Sequence, residues 1–565
     1  MDDPDFFLAP EGKTDPEAEL KATIAELFQP DQQAAQKSIC RFYARYQWLK
    51  KMLPLDPAVW PDFTCPEIDN IEPRYASLIF PTYYMNNPAS MFGHTLLAIN
   101  TDYDSKRLGY AVNYAARVDD ANGLSFAISG VFGLYQGFYS VDPYYKKIQE
   151  YSDIHQRDIW EYRLNLTPEE IKRLIWHVQE FQDIHTDYFF FDENCSYNLL
   201  YLLEAARPSL DLVSRFDGLA VLPADTIRAI RAEGLITAVD FRPSKATKIR
   251  YKIDALDDSA IQTALDLIKG RGTPADLMEA PLDKETRIRI LDLVSDQLQY
   301  LYAKNEIDRS EYRQQFLPTL RARSQLGQAD FSYQDDITPP TDPMSGHDSR
   351  RISFGGGVHG GDPFTEIRYR PAFTDLVDMD YLDNQGAQIE FGDARIRYYP
   401  ETDVWKLQQL DIIDIVSISG RNAFFKPLSW KFDTGFHRKF MRNGKESLYY
   451  RLNTGTGVAV DSPWWGLSYA MIQGEADIGG ALEKNYAAGA GMNAGVIKSL
   501  ASFWQSHFFA EAMWFAAGDD HDTYTLGTAN NFRLSQNTHF SLELSWDKTR
   551  RWERTDLQGQ FHLFF

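Results

Sequence analysis

Leu557-Gln-Gly-Gln-Phe-His-Leu-Phe-Phe565 ends the chain with a period of two, placing Leu557, Phe561, Leu563 and Phe565 on one face. Side chains repeat at every second residue in a strand, whereas a helix repeats near 3.6. The same alternation runs through Gln388–Tyr398, Leu448–Gly457 and Phe540–Trp546, broken each time by Gly, Asn, Asp or Pro. Between residues 350 and 565 there are about twelve such segments of roughly 10 residues. A transmembrane β-barrel needs this pattern, with apolar residues toward lipid, polar ones toward the lumen, and no open edge. The reading is therefore a C-terminal antiparallel transmembrane β-barrel of about 12 strands. A soluble sandwich or closed barrel is the alternative that alternation alone leaves open. The terminal Phe565 resembles an outer-membrane targeting signal, which favours the membrane.

Upstream of residue 350 the period changes. A chain of 565 residues is too long for one core and divides into several units. Residues 1–74 read as a helical region, with Ala- and Glu-rich turns followed by Phe42, Tyr43, Tyr46 and Trp48. Residues 75–240 mix short apolar strands with helices. One helix is expected to start at Thr167-Pro-Glu-Glu170, a capping hydroxyl followed by Pro and acids, and to run to about His185. Residues 241–333 are helical again, and 334–349, with Thr338-Pro-Pro-Thr-Asp-Pro343, reads as a linker. A net charge of −22 argues against a nucleic-acid partner. Met1-Asp-Asp-Pro-Asp5 is acidic and lacks an apolar stretch, so any secretory leader is expected to have been removed. The best uncharged window for a spanning helix, Ala121–Ser140, carries four Gly and is too polar to span.

Three cysteines are present: Cys40, Cys65 and Cys195. In an oxidising compartment Cys40 and Cys65 are expected to pair, leaving Cys195 as the reactive thiol. Cys195 lies in Tyr188-Phe-Phe-Phe-Asp-Glu-Asn-Cys-Ser-Tyr-Asn198, where an apolar run breaks and a helical pattern begins. Unpaired N–H groups and the positive end of a helix dipole favour its thiolate. His94, in Met91-Phe-Gly-His-Thr-Leu-Leu-Ala-Ile99, follows a Gly turn, opens an apolar strand and is the expected base. Asn113, in Gly109-Tyr-Ala-Val-Asn-Tyr-Ala115, is the candidate to orient the imidazole from an adjacent strand.

Phe92-Gly-His-Thr95, Val112-Asn-Tyr114 and Tyr188–Ser196 together resemble the Lnb-type periplasmic domain, a family linked to bacterial lipoprotein N-acylation. They also resemble the circularly permuted papain-like fold of lecithin–retinol acyltransferase and NlpC-type relatives. The resemblance spans roughly residues 75–210 and departs at Ala115, where Gly is expected, and at Tyr197. It implies an α+β protein with a papain-like Cys/His catalytic domain over 75–240. His155, His177 and His185 carry no matching partner pattern and read as structural or exposed. The Cys195 N–H is one expected oxyanion donor, with Tyr84, Asn86 or Ser90 supplying another. Tyr114, Asn194, Phe132 and Phe138 complete the candidate substrate-binding residues, although Asn194 and Glu193 also suit the turn before the helix. Gly130, Gly133 and Gly137 in 121–140 allow either a simple glycine-rich loop or a flexible apolar flap over the thiolate.

No Cys-x-x-Cys, His-Glu-x-x-His or phosphate-binding glycine motif occurs, so neither metal nor cofactor is expected. The expected activity is thiol acyl transfer from a phospholipid or lipoprotein, on a periplasmic domain anchored in the bacterial outer membrane. Three alternatives remain: a phospholipase or amidase with water as acceptor, an NlpC-like peptidoglycan peptidase, and a non-enzymatic barrel.

Overall fold

The computed structural model describes residues 2–565 except 62, 64, 66–70, 83–90, 102–108, 119–128, 131, 217–219, 330, 332–336, 380–385 and 441–444. The chain divides into two compact units, 1–338 and 339–565.

The first unit opens with α1 (Pro16–Leu27), α2 (Gln32–Arg41) and α3 (Tyr43–Met52). Asp15 and Asp31 cap the first two with side-chain oxygens on free N–H groups. A disulfide joins Cys40 near the end of α2 to Cys65. Seven strands follow: β1 (Tyr75–Pro81), β2 (Leu96–Asn100), β3 (Tyr110–Ala116), β4 (Tyr135–Pro143), β5 (Ile159–Leu164), β6 (His185–Tyr188) and β7 (Ile236–Arg242). They form one antiparallel sheet in the order β6-β4-β3-β2-β1-β5-β7. Its middle strands are mostly apolar, and β2 is buried at every position. Ile79, Leu96, Ala98 and Ala111 line one face and pack against Tyr144, Ile148 and Tyr151 of the helical turn after β4.

Thr167 and Glu170 cap each other's backbone N–H and start α4 (Pro168–Glu180). This helix ends five residues before His185, which instead opens β6; Asp183, at φ 61°, turns the chain between them. α5 (Cys195–Ala206) carries the thiol, and α6 (Pro223–Ala232) follows it. Five more helices run from Lys245 to Gln325.

In the second unit β8 (Arg351–His359) and β9 (Asp362–Arg370) precede a short β10 (Ala372–Thr374), then β11 (Ala387–Tyr399), β12 (Val404–Ser417) and β13 (Ser429–Phe440). β14 (Glu446–Ser462), β15 (Gly466–Ile478), β16 (Tyr486–Ala501), β17 (Trp504–Gly518), β18 (His521–Ser535), β19 (Thr538–Thr549) and β20 (Glu553–Phe564) continue the meander. β9 pairs with β11 and β20 pairs with β8, which closes twelve antiparallel strands into a ring. On the last strand Leu557, Phe561 and Leu563, like Phe565 after it, are about half exposed, while Gln558, Gln560, His562 and Phe564 are buried. The outer surface continues through Phe354, Ile396, Leu452, Ile472, Met492, Phe508 and Leu526. Such an apolar exterior around a closed hydrogen-bonded wall is stable in a bilayer and costly in water, and it makes this unit an outer-membrane barrel.

The interior is charged. Arg368 grips Asp393 through Nε at 2.9 and 2.8 Å, and Arg397 reaches Asp556 at 2.6 Å. Residues 375–378, just after β10, fold inward. Arg351 holds Asp375 at 2.8 Å, and Gln505 and Asn531 of β17 and β18 donate to the Leu376 and Val377 carbonyls at 2.8 and 2.9 Å.

Candidate active site

Local turn chemistry sets Cys195. Asn194 caps α5, its Oδ1 accepting from the N–H groups of Ser196 (3.0 Å) and Tyr197 (3.2 Å). Its Nδ2 donates to the carbonyls of Phe190 (3.1 Å) and Val221 (2.6 Å), which ties the turn to the chain just before α6. The thiol therefore occupies the first helical position, where the helix dipole is positive.

His94 stands two residues before β2. Gly93 precedes it at φ +87°, and a Cβ there would lie 2.5 Å from the Phe80 ring, so only glycine fits this turn. β3 pairs with β2 through Leu97↔Val112 and sets Asn113 beside the imidazole, with Nε2 2.7 Å from Asn113 Oδ1. The other ring nitrogen is left for Cys195, with which His94 shares a hydrogen bond. Tyr151 flanks the ring with centroids 5.7 Å apart.

The electrostatics follow from this geometry. Burial alone would push the Cys195 thiol up, but the charge and hydrogen bond of His94, the Thr95 backbone N–H and the Ser196 hydroxyl outweigh it. The result is a thiol pKa of about 6. Burial would likewise lower His94, yet the adjacent thiolate and Asn113 raise it above its ordinary value. Together these favour a thiolate–imidazolium pair near neutral pH.

Three further residues touch the pair. Tyr188, which starts the apolar run before Cys195, hydrogen-bonds both the backbone N–H and the thiol of Cys195. Thr95 Oγ1 donates to Ser196 Oγ at 3.0 Å, and Ser196 Oγ lies 3.8 Å from Cys195 Sγ. Sequence reasoning missed all three roles. The pairing Tyr135↔Tyr188 between β4 and β6 places Tyr188, and that register follows from no local pattern.

The expected substrate-binding residues fare differently. Tyr84, Asn86 and Ser90 lie outside the described residues, as do 121–128 and 131 of the expected loop or flap. Tyr114 is fully buried, with its hydroxyl bonded to Thr186 and its ring stacked on Tyr188 at 5.7 Å. It supports Tyr188 from beneath and has no surface for substrate. Asn194 spends both ends of its amide on the helix cap, so its role is to place Cys195, as a turn-setting residue does.

The flap reading is corrected over residues 135–140, which form β4. There Phe138 pairs with Ala115 and His185, and the Arg117 guanidinium lies 4.3 Å above its ring. The glycines serve close packing. A Cβ on Gly130, Gly133 or Gly137 would come within 2.3 Å of Phe190, 2.2 Å of Phe189 or 2.0 Å of Tyr114. Phe132 and Leu134 remain on the surface, each 68% exposed.

Of the other histidines, His185 pairs with Asp3 at 2.7 Å, and His177 is held at about 4 by burial and by Arg45 and Arg173. Among the described residues, groups of three side chains able to hold a metal converge only in the barrel.

Residues 66–233 match the family model of the Lnb N-terminal periplasmic domain. Residues 1–52, 239–332 and 340–564 each match a domain of unknown function. No curated protein matches the chain. Among solved structures, the KdgM porin aligns at 9% identity and TM-score 0.22, covering 38% of this chain and 99% of its own. An anion-selective porin from Comamonas acidovorans aligns at 8% and 0.20, covering 38% and 99%. An outer-membrane channel from Pseudomonas putida F1 aligns at 9% and 0.24, covering 40% and 100%. The chain joins a domain of the Lnb N-terminal periplasmic type to a closed outer-membrane β-barrel.

Proposed function

We propose that the periplasmic unit is a cysteine-dependent acyltransferase acting on the acyl esters of phospholipids or lipoproteins. One observation carries this reading: a buried thiol at a helix start, lowered to about 6, hydrogen-bonded to an imidazole that Asn113 holds from its far side at 2.7 Å. A structural cysteine gains nothing from such a neighbour, whereas a nucleophile needs one.

In this scheme Cys195 Sγ attacks the ester carbonyl carbon and the carbonyl π electrons move onto oxygen. The candidate donors to that oxyanion are the Tyr188 O–H and the Cys195 N–H, which donates to the Tyr188 oxygen in the resting site and would turn to the oxyanion as it forms. As the C–O bond breaks, imidazolium His94 gives its proton to the departing alkoxide, leaving a thioester. An amine then attacks the thioester while His94 takes its proton. Collapse releases an amide and restores the thiolate–imidazolium pair. The resemblance to the Lnb domain favours the amine of a lipoprotein N-terminal cysteine as acceptor. Exposed Phe132 and Leu134 give the unit an apolar lip suited to an acyl chain rather than to charged stem peptides.

The test is incubation of the full chain in detergent with phospholipid, followed by intact-mass analysis with and without an added lipopeptide amine. An acyl adduct is expected on Cys195, lost in Cys195→Ala and discharged to the amine. Absence of both adduct and acylated product from folded protein would refute the proposal. Discharge to water alone would make the enzyme a lipase.

A further inference from the structure

Within the barrel wall, Asp411 of β12 and Asp433 and His437 of β13 bring three potential ligand atoms within 4.8 Å of one another. The backbone arranges this. Asp433, Gly435 and His437 alternate along β13 and so share its inner face. Asp411 pairs directly opposite Gly435, between the two ligating side chains. A Cβ at position 435 would lie 2.2 Å from the Leu410 carbonyl and 3.0 Å from the Asp411 Cα, so glycine permits the approach. A register shift between Asp411 and Ile413 turns Asp414 inward as well, opposite Asp433.

The three residues are at least nine-tenths buried, at 0%, 8% and 7% exposure for Asp411, Asp433 and His437, and the side chains of Asp411 and His437 alone are 0% and 9% exposed. Asp411 Oδ1, Asp433 Oδ1 and His437 Nε2 all lack a hydrogen-bond partner. Nε2 stands 3.1 Å from the first oxygen and 3.6 Å from the second, without hydrogen-bond alignment. Those separations fall within the edges of a metal coordination shell, roughly 2.8–3.6 Å for bonds of about 2.0–2.2 Å.

The remaining atoms are engaged in ways that aim the free ones inward. Gln409 Nε2 donates to Asp411 Oδ2 at 2.7 Å, and Gln388 Nε2 donates to Asp414 Oδ2 at 2.7 Å. The nearest cations are committed elsewhere: Arg368 to Asp393 and Glu390, and Lys431 to Glu511. Arg451 reaches Asp433 only at 3.7 Å and is shared with Glu475 at 3.1 Å. Arg395 lies within electrostatic reach of Asp411 but pairs with Asp393 at 3.7 Å, and Lys431 acts on Asp414 from its pairing with Glu511. None of these cations forms a hydrogen bond with the free oxygens of Asp411 and Asp433, and buried carboxylate oxygens left unpaired are costly.

We infer that Asp411, Asp433 and His437 form a binding site for a first-row divalent cation inside the barrel. One imidazole with two carboxylates suits Zn²⁺ or Mn²⁺, whereas Ca²⁺ prefers six to eight oxygens. The cation bridges β12 and β13 and neutralises the acidic wall.

The experiment uses the full chain in detergent with Cys195→Ser, which removes the one competing thiolate. The protein is stripped with chelator, loaded with Zn²⁺ and dialysed. About one equivalent is expected to remain, with a raised Tm and a Zn K-edge spectrum of nitrogen and oxygen ligands including imidazole. Ca²⁺ should bind at least tenfold more weakly. Asp411→Asn with Asp433→Asn, near-isosteric changes, should lose that equivalent while far-UV circular dichroism still reports the strands. Retention of less than one-tenth of an equivalent by folded protein, or equal affinity in the double variant, would overturn the site. Where the variants do not fold, the edge spectrum of the parent decides, and a shell without imidazole overturns the proposal.

Discussion

His94 Nε2 lies 2.7 Å from Asn113 Oδ1, so a side chain that can only accept through that atom fixes which nitrogen of the ring faces the thiol. With the proton held on Nε2, the neutral ring presents Nδ1 as a base toward Cys195. The arrangement orients the base without adding a charge, which keeps the imidazolium able to release its proton.

Asn113→Ala should leave Cys195 and His94 in place but free the ring. Losing a buried hydrogen bond to a charged partner costs about 1.5–3 kcal/mol, or roughly 10- to 100-fold in kcat. KM should change little, since Asn113 is buried behind the histidine. Steady-state kinetics on a soluble ester separates the two. An equal loss in KM alone would mean that Asn113 contacts substrate.

The pH dependence follows from the pair. A thiol lowered to about 6 becomes thiolate as pH rises through that value, so alkylation by iodoacetamide should climb near pH 6 and level off by pH 7. His94 is raised, so kcat/KM should fall only above its ordinary range, as the acid form is lost. These limbs belong to the coupled pair rather than to either group. His94→Ala removes the main lowering influence and should move the alkylation midpoint upward, toward the buried-thiol side of the scale. An unmoved midpoint would assign the thiolate to the helix dipole alone.

The barrel was legible because alternation records which side of a wall each residue faces. Leu557, Phe561, Leu563 and Phe565 declared their face without any knowledge of the neighbouring strands. Cys195, His94 and Asn113 were legible for a related reason: a helix start, a glycine turn and a strand are local patterns. What stayed hidden depends on register. Tyr188 reaches Cys195 through the pairing of β6 with β4, and Gly137 is needed because Tyr114 crosses above it. The Asp411–Asp433–His437 group depends on the β12–β13 register, which sets Asp411 opposite Gly435. A motif search that expects ligands close in sequence passes over it.

The Cys40–Cys65 bridge spans 25 residues and ties α2 to the segment leading toward β1. Constraining a loop of this size is expected to stabilise by about 2–4 kcal/mol. Cys40→Ser with Cys65→Ser should therefore lower the Tm of the periplasmic unit by several degrees, read by calorimetry, and reducing the wild-type bridge should do the same. An unchanged Tm would show that the helices hold this end unaided.

Phe561 faces outward with 55% exposure, and Gln560 beside it is buried in the interior. Placing Arg at Phe561, three residues from the end of β20, sets a charge against acyl chains at a cost between the about 2–4 kcal/mol of the bilayer midplane and the roughly 0–1 kcal/mol of its edge. Phe561→Arg should reduce folded barrel in liposome assembly assays, whereas Gln560→Asn, which keeps an uncharged amide on the Glu366 side of the wall, should assemble nearly as well as wild type. Equal assembly of both would contradict the lipid-facing assignment.

Phe132 and Leu134 offer the sharpest test of what the thiolate meets. Both are 68% exposed, and the glycines beside them seat Phe190 and Phe189, a few residues before Cys195. If this lip receives an acyl chain, each methylene it covers contributes about 0.8 kcal/mol. Phe132→Asp removes that contact and sets a charge beside the chain, which adds a desolvation cost. A short ester does not extend to the lip and should lose little. kcat/KM measured along a chain-length series should therefore fall more steeply for Phe132→Asp as the chain grows, with Cys195 acylation following the same order. A uniform loss at every length would make the turn purely structural, and a stem-peptide substrate would then fit the site better than a lipid.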